Sequence, residues 1–335
     1  MSEFRKRLEQ FLNASEQPTV FTELTPDAST REYFRVNWQD HSAIACVYPK
    51  DELGKTQFEA CLDVTSVFLS ADLPVARVFA ADAENGIIVH EDFGDTILRD
   101  VLQNSDEETR ENYLAEAIRL IARIQAVTPI AFEADSISSK LAFDFEKLSW
   151  ELDFFTTHYF TTLQKKPLGE TDAQLLKAEL DEVARELAGM AAVLTHRDFH
   201  AANLMLDGGA LKIIDHQDAR IGSASYDLVS LLLDRVTTLP TPEWLADKRR
   251  FLIAERARLG LEQLNEADFT YEFRLQTIQR CLKAIGTFSF QSVNRGKIYF
   301  IPFIKPMFDI VLRAAENLDR FPNLQRIVKA QISDS

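Results

Sequence analysis

The string His196-Arg197-Asp198 is followed, after four intervening residues, by Asn203, then by two short apolar runs, 204–206 and 211–214, that end in Asp215. A carboxylate at Asp198 can accept the proton of an attacking hydroxyl. The amide oxygen of Asn203 and the carboxylate of Asp215 are hard oxygen donors, the kind that Mg²⁺ takes when it sits on nucleotide phosphates. Between the apolar runs lies Asp207-Gly208-Gly209-Ala210. Glycine tolerates positive φ, so this string predicts a tight β-hairpin. Antiparallel strands would bring its two ends, Asn203 and Asp215, close together. A proton acceptor and two metal donors in this order point to phosphoryl transfer. A polar loop before an ordinary hairpin is the bland alternative, and the ordered set is far more specific than His-Arg-Asp alone.

Neighbouring residues add candidates. Arg197 and His200 flank Asp198 and can touch a substrate oxygen; an internal ion pair that stiffens the loop explains Arg197 equally well. Asp218 is close enough in sequence to reach a substrate, although a loop salt bridge with Arg220 accounts for both. His196 and His216 read as hydrogen-bonded scaffold. Asp227 opens an apolar helix and reads as an N-cap that also ties down the loop.

The chain that must position these groups has 335 residues, 46% of them hydrophobic, and a net charge of −15. It can bury a sizeable core, in one large domain or two lobes. The acidic balance argues against a nucleic-acid partner, which wants clustered Lys and Arg; a nucleotide remains compatible, because a metal ion brings its own positive charge. Cys46, Cys61 and Cys281 are scattered in apolar surroundings with no C-x-x-C pair, so they read as buried small hydrophobes. The N-terminal stretch is charged and amphipathic, unlike a signal peptide, and no apolar run is long enough to span a bilayer. The expectation is a cytoplasmic protein with no membrane association and no obligate protein partner.

Periodicity predicts a helix over 2–13, strands at 20–24, 33–37, 43–48, 75–80 and 86–90, and a helix over 55–70. From about residue 95 the pattern turns helical, over 109–128, 145–163, 171–190, 226–233, 244–259, 267–290 and 302–318. The stripe Trp150, Phe154, Phe155, Tyr159 and Phe160 reads mostly as core. Thr25-Pro26-Asp27-Ala28-Ser29-Thr30-Arg31 is a small-residue turn between the first two strands. Ser29 and Thr30 can offer hydroxyls and N–H groups to a phosphate, although composition alone favours a plain β-turn. In the protein-kinase pattern that residues 196–215 resemble, the metal-binding aspartate follows His-Arg-Asp, so Asp92-Phe93-Gly94, which precedes it, is a decoy. Its place suits a hinge, where backbone groups of His90, Glu91 and Asp92 could meet an adenine edge.

The order of acceptor aspartate, asparagine and metal aspartate is the catalytic-loop pattern of the protein-kinase superfamily. Within it the chain resembles the aminoglycoside phosphotransferase-like branch, and most closely its N-acetylmuramate/N-acetylglucosamine anomeric kinases. The segments that carry this are 27–36, His196 to Asn203, Ile214-Asp215-His216-Gln217-Asp218-Ala219, 225–232 and the late helix 279–286. The resemblance implies an α+β, two-lobed protein-kinase-like fold. Residues 1–93 would form a nucleotide-covering N-lobe of antiparallel sheet plus helices, and 94–335 a helical C-lobe with the catalytic loop and sugar site. It also implies ATP and Mg²⁺ as cofactors and transfer of the γ-phosphate to the anomeric hydroxyl of an amino sugar, for cell-wall precursor recycling. In that group the aromatic helix lines the sugar side, which makes Glu151 a substrate-binding candidate, while Trp150 reads as core.

Three departures stand out. Strand 43–48 lacks the phosphate-binding lysine of classical kinases. Arg31 or Arg35 can replace it, whereas Lys50 and Lys55 read as solvated. Asp215 is followed by His216-Gln217, so control by an activation loop is not expected. Glu59, the helix partner such a lysine would need, reads as a solvated charge. The rival readings are phosphorylation of an aminoglycoside, a choline-like alcohol or another small alcohol, and a non-catalytic nucleotide-binding protein.

Overall fold

The structure, a computed structural model, describes residues 2–24 and 31–333. The chain opens with α1 (Glu3–Ala14), β1 (Phe21–Leu24), β2 (Glu32–Trp38), β3 (His41–Val47), α2 (Glu52–Ser70), β4 (Val78–Asp82) and β5 (Ile87–Glu91). Then come α3 (Leu98–Asn104), α4 (Glu107–Ala126), α5 (Thr128–Glu133), α6 (Ile137–Lys140), α7 (Phe145–Thr156), a π-helical turn over Thr157–Leu163, and α8 (Glu170–Gly189). Four short strands follow: β6 (Val193–Thr195), β7 (Leu204–Asp207), β8 (Ala210–Ile213) and β9 (Arg220–Gly222). The remainder is α9 (Tyr226–Leu233), α10 (Pro242–Arg258), α11 (Glu266–Asn294), α12 (Ile304–Leu318) and α13 (Pro322–Ser333).

The chain divides into two compact units. The first comprises Met1–Tyr113, Pro129–Ser138 and Ala201–Ala219; the second comprises Leu114–Thr128, Ser139–His200 and Arg220–Ser335. This differs from a single boundary after residue 93, because the hairpin that carries Asn203 and Asp215 belongs with the sheet.

In the first unit an antiparallel sheet has the order β1-β2-β3-β5-β4. Strand residues alternate between two faces. Phe34, Val36, Ala43, Ala45, Val47 and Val89 pack with Leu8, Phe11 and Leu12 of α1. Cys46 and Ile88, joined by Tyr48, pack with Phe58 and Cys61 of α2. Burying each large side chain is worth about 1.5–3 kcal/mol, which is what holds two helices against so small a sheet. Ser2 caps α1 and Asp51 caps α2 through their side-chain oxygens. Gly54 is obligatory: a Cβ there would lie 2.1 Å from the Pro49 carbonyl oxygen.

Strands β7 and β8 form the expected hairpin, turned by Gly208 and Gly209 at φ 58° and 84°. Positive φ at both central residues is the type I′ signature. The Leu206 N–H donates to the Thr96 carbonyl and the Ile213 N–H to the Pro74 carbonyl, each at 2.8 Å, so the hairpin is sewn to the segments after β5 and after α2.

In the second unit α11 is the hub, packed by α7, α9 and α12. Gly286 lets α7 approach, since a Cβ there would lie 2.7 Å from Phe155 Cα. Buried Phe155, Tyr159, Phe160 and Phe308 interlock around that crossing. Trp150 is the exception in the aromatic stripe: it is 56% exposed, which corrects the core reading. Strands β6 and β9 and helices α3, α5, α6 and α13 were not predicted by the sequence pattern; all but α13 are too short for periodicity to register.

Candidate functional site

In the first unit the hairpin brings the backbone at residue 203 close to the strand end that leads into Asp215. The Ile214 N–H donates to the Asn203 carbonyl at 3.1 Å, placing residue 203 next to the strand end that leads into Asp215. Asp215 takes a left-handed backbone, φ 62°, and its Oδ1 accepts hydrogen bonds from Arg31 Nη2 at 2.9 Å and Gln217 Nε2 at 3.0 Å. Arg31 lies over the rings of Tyr33 and Tyr48. Burial opposes its charge, but Tyr33 and Asp215 beside it outweigh that and hold the guanidinium firmly protonated. His216 is scaffold: its ring stacks on Phe68, and Nε2 lies 2.7 Å from Thr65 Oγ1.

The residues expected around a nucleotide fare differently. Ser29 and Thr30 lie outside the described residues. His90 sits on β5 opposite Ile44, and burial, helped by nearby Arg31, pushes its imidazole down to about 4, so it is neutral at pH 7. Glu91 pairs with Arg77 through side chains and gives its N–H to the Arg77 carbonyl. Asp92 accepts from Arg35, Ser42 and the Gly94 N–H, so its carboxylate organises a turn. Arg35 is committed to Asp92 and Asp95, which leaves Arg31 as the arginine beside the metal-binding candidate. Lys50, Lys55 and Glu59 are exposed, as solvated charges should be.

In the second unit Asp198 follows Arg197, whose φ is 83°. A left-handed arginine is strained and needs support. Asp227 supplies it: Oδ2 accepts the His196 N–H at 2.7 Å and Oδ1 the Arg197 N–H at 3.1 Å. The helix N-cap is Ser225, two residues earlier than expected, and Asp227 ties down the loop as read. Burial pushes the Asp227 carboxyl up to about 7 despite these two hydrogen bonds.

Asp198 itself is gripped from α11. Arg280 Nη2 and Lys283 Nζ each donate to Oδ1 at 3.2 Å, and Arg197 Nε lies 3.8 Å from Oδ2. Ser230 Oγ fixes Arg280 in turn, accepting from its Nε at 2.8 Å. Burial alone would raise the Asp198 carboxyl; Lys283, Arg197 and Arg280 together hold it well below the usual carboxylate range. Burial keeps the His200 imidazole low, and its backbone N–H closes onto the Asp198 carbonyl at 2.9 Å. Glu151 is buried, with Oε2 accepting from Gln279 Nε2 at 2.8 Å and Oε1 lying 3.7 Å from Lys147 Nζ. The exposed member of that turn is Trp150, with Lys147 over its ring at 4.4 Å. Thus Arg197, Asp198 and His200 come together in the second unit, where Glu151 also lies, while Asn203, Asp215 and Asp218 belong to the first. Arg280 and Lys283 were missed as site residues. Both fall in the segment 279–286 that carries part of the resemblance, as two cations three positions apart among Cys281, Leu282, Ala284 and Ile285.

Residues 20–261 match the family described as "Phosphotransferase enzyme family". The chain belongs to that family. It is therefore a phosphotransferase, and its small antiparallel sheet and helical remainder are those of the kinase-like fold. An N-acetylmuramate/N-acetylglucosamine kinase of Neisseria meningitidis serogroup B is 28% identical over 315 residues, 92% of this chain and 89% of that protein. One from Pseudomonas aeruginosa is 30% identical over 275 residues, 81% of this chain and 77% of that protein. Among solved structures, ADP-bound aminoglycoside phosphotransferase APH(2'')-Ib superposes with TM-score 0.59 at 13% identity, covering 92% of this chain and 98% of that one. A choline kinase from Streptococcus pneumoniae gives 0.61 at 11% identity, covering 92% and 99%. At such identities the structural likeness speaks for the fold alone. No helix among the described residues is long and apolar enough to cross a membrane.

Proposed function

We propose that this phosphotransferase moves the γ-phosphoryl group of ATP to the anomeric hydroxyl of an amino sugar, N-acetylmuramate or N-acetylglucosamine, as a step in reusing cell-wall precursors. The observation that carries the chemistry is Asp198, a carboxylate kept ionised by Lys283, Arg197 and Arg280 at the end of a loop anchored on Asp227. So acidic a group is a weak base in the Brønsted sense, suited to orienting a hydroxyl and taking its proton late. An anomeric hydroxyl, more acidic than an ordinary alcohol, asks least of such a base. The names of the relatives that align along most of the chain support the amino sugar.

Asn203 and Asp215 fit Mg²⁺. Both are hard oxygen donors, the hairpin closes them together, and Arg31 shows that Asp215 already holds a cationic partner. Bound there, the metal would supply charge neutralisation on phosphate oxygens. Arg31, which stands beside Asp215, takes the part of the absent strand lysine in holding phosphate. Arg197 and His200 face the acceptor, and Trp150 offers it an exposed ring, whereas buried Glu151 shapes that surface from behind. Ser29, Thr30 and the 90–92 segment remain the proposed nucleotide contacts, and Asp218 a further acceptor contact. A cationic acceptor such as choline or an aminoglycoside is disfavoured by the cations around Asp198.

The test is a screen of amino sugars, aminoglycosides and choline-like alcohols with Mg-ATP, the product read by phosphorus NMR. A doublet from a phosphate on the anomeric oxygen of N-acetylmuramate or N-acetylglucosamine is expected. Turnover confined to a cationic alcohol, or ATP hydrolysis that no acceptor stimulates, would refute the reading.

A further inference from the structure

A second cationic site lies in the helical unit, among residues to which the phosphotransfer chemistry gives no part. The end of α9, the first turns of α10, and the facing sides of α11 and α12 enclose an open cavity of about 60 Å³. Three arginines line it, one from each of three helices: Arg249, Arg274 and Arg313. No carboxylate is among its lining residues.

Among the described residues, none of the three has an acidic partner in hydrogen-bond or ion-pair contact. Arg274 Nη1 donates to the Asn317 carbonyl at 3.0 Å, and Arg313 Nη1 to the Pro240 carbonyl at 2.6 Å, both neutral acceptors. The guanidinium of Arg249 lies 5.1 Å over the Phe273 ring, and its Nε is sealed from water with no acceptor at all. Burial disfavours the charge of Arg249 and of Arg313, and Arg274 and Arg250 repel Arg249 further. The one acid that favours the charge, Glu266, pairs with Arg250 at 3.3 Å. The lining residue Pro242 is the first residue of α10, a 17-residue helix capped by Thr241, so the positive end of that helix borders the same space.

In a chain of net charge −15, gathering three arginines without a counter-charge costs free energy that surface dispersal would avoid. An anion in the cavity would remove that cost. The guanidinium forks match tetrahedral oxyanions, which accept paired N–H bonds on several edges. We propose that this cavity is a binding site for a phosphate group, either free phosphate or the phosphate of a small monoester, separate from the residues that carry out transfer.

Isothermal titration calorimetry of the full chain with inorganic phosphate, at ionic strength held constant by sodium chloride, tests it. A parallel titration with a sugar 1-phosphate tells free phosphate from an ester. Saturable uptake of at least one of the two is expected, weakened about tenfold or more in Arg249→Gln. Among the described residues Arg249 makes no hydrogen bond, so this variant should fold. Arg249→Lys keeps the charge and loses the fork, so it should fall between; it reads the same comparison if the glutamine variant does not fold. The proposal is overturned if neither compound binds, or if both bind the Arg249 variants as tightly as the parent, since phosphate would then be elsewhere.

Discussion

Two aspartates do the chemistry proposed here, and the molecule treats them differently. Asp215, in the sheet-bearing unit, has a 38% exposed side chain and meets one arginine. Asp198, in the helical unit, is more enclosed and meets Arg280, Lys283 and Arg197. The first arrangement suits a ligand for a cation: the carboxylate is reachable, and the contact with Arg31 can yield. The second suits a fixed base: shared contacts on a single oxygen remove freedom of rotation, and a surplus of positive charge keeps the group ionised. A metal ligand must be reachable, whereas a proton acceptor must be aimed.

The contrast can be broken from either side. On the exposed side, Asp215→Ala should lower turnover by about 10³-fold and abolish the Mg²⁺ dependence of ATP binding, as loss of a central electrostatic group does. Titration calorimetry with and without Mg²⁺ checks it; unchanged metal dependence would remove Asp215 from the metal site. Lys283→Met should act on aim rather than on binding. A fall of about tenfold or more in kcat is expected, with the acceptor KM little changed, and Lys283→Arg should restore part of the loss. A raised KM at constant kcat would instead make Lys283 a binding residue.

Asp227 sharpens the comparison through pH. Its carboxyl is raised to about 7, so the folded protein holds a proton that the unfolded chain has released. Stability from this group is therefore full below about pH 4 and lost as pH rises toward 7. Asp198 has the opposite sign: its carboxyl is lowered, so its contribution is present above its ordinary range and lost only in stronger acid. Asp227→Asn should flatten the fall in stability between pH 4 and 7, at a cost of about 1–3 kcal/mol for the backbone N–H left without an acceptor. Chemical denaturation across that pH range decides; a slope unchanged in the variant would show that Asp227 does not titrate there. The smallest effect belongs to Trp150→Ala. With more than half of the side chain exposed, it should leave the melting temperature within a degree or two. A large drop would restore Trp150 to the core.

What could be read from the sequence follows the same division between local and distant. The hairpin was legible because Gly208 and Gly209 dictate its turn and residues 203 and 215 flank it directly. The helices were legible where an apolar stripe ran for several turns, as in α4 and α8. The grip on Asp198 was not, because Arg280 and Lys283 lie more than 80 positions away on α11, and nothing local says that this face of the helix meets the loop. Trp150 was misjudged for a related reason. Periodicity marks a stripe, but which side of a helix a neighbour covers is fixed by the Gly286 crossing of α7 with α11, where Gln279 waits for Glu151.

The most direct test is Asp198→Asn, assayed for Mg-dependent ATP binding by calorimetry and for turnover with N-acetylmuramate and N-acetylglucosamine. The account predicts ATP affinity close to that of the parent and kcat lower by about 10²- to 10⁴-fold. Near-normal kcat in a folded variant would contradict it, since the reaction would then proceed without the carboxylate that Arg280 and Lys283 hold in place.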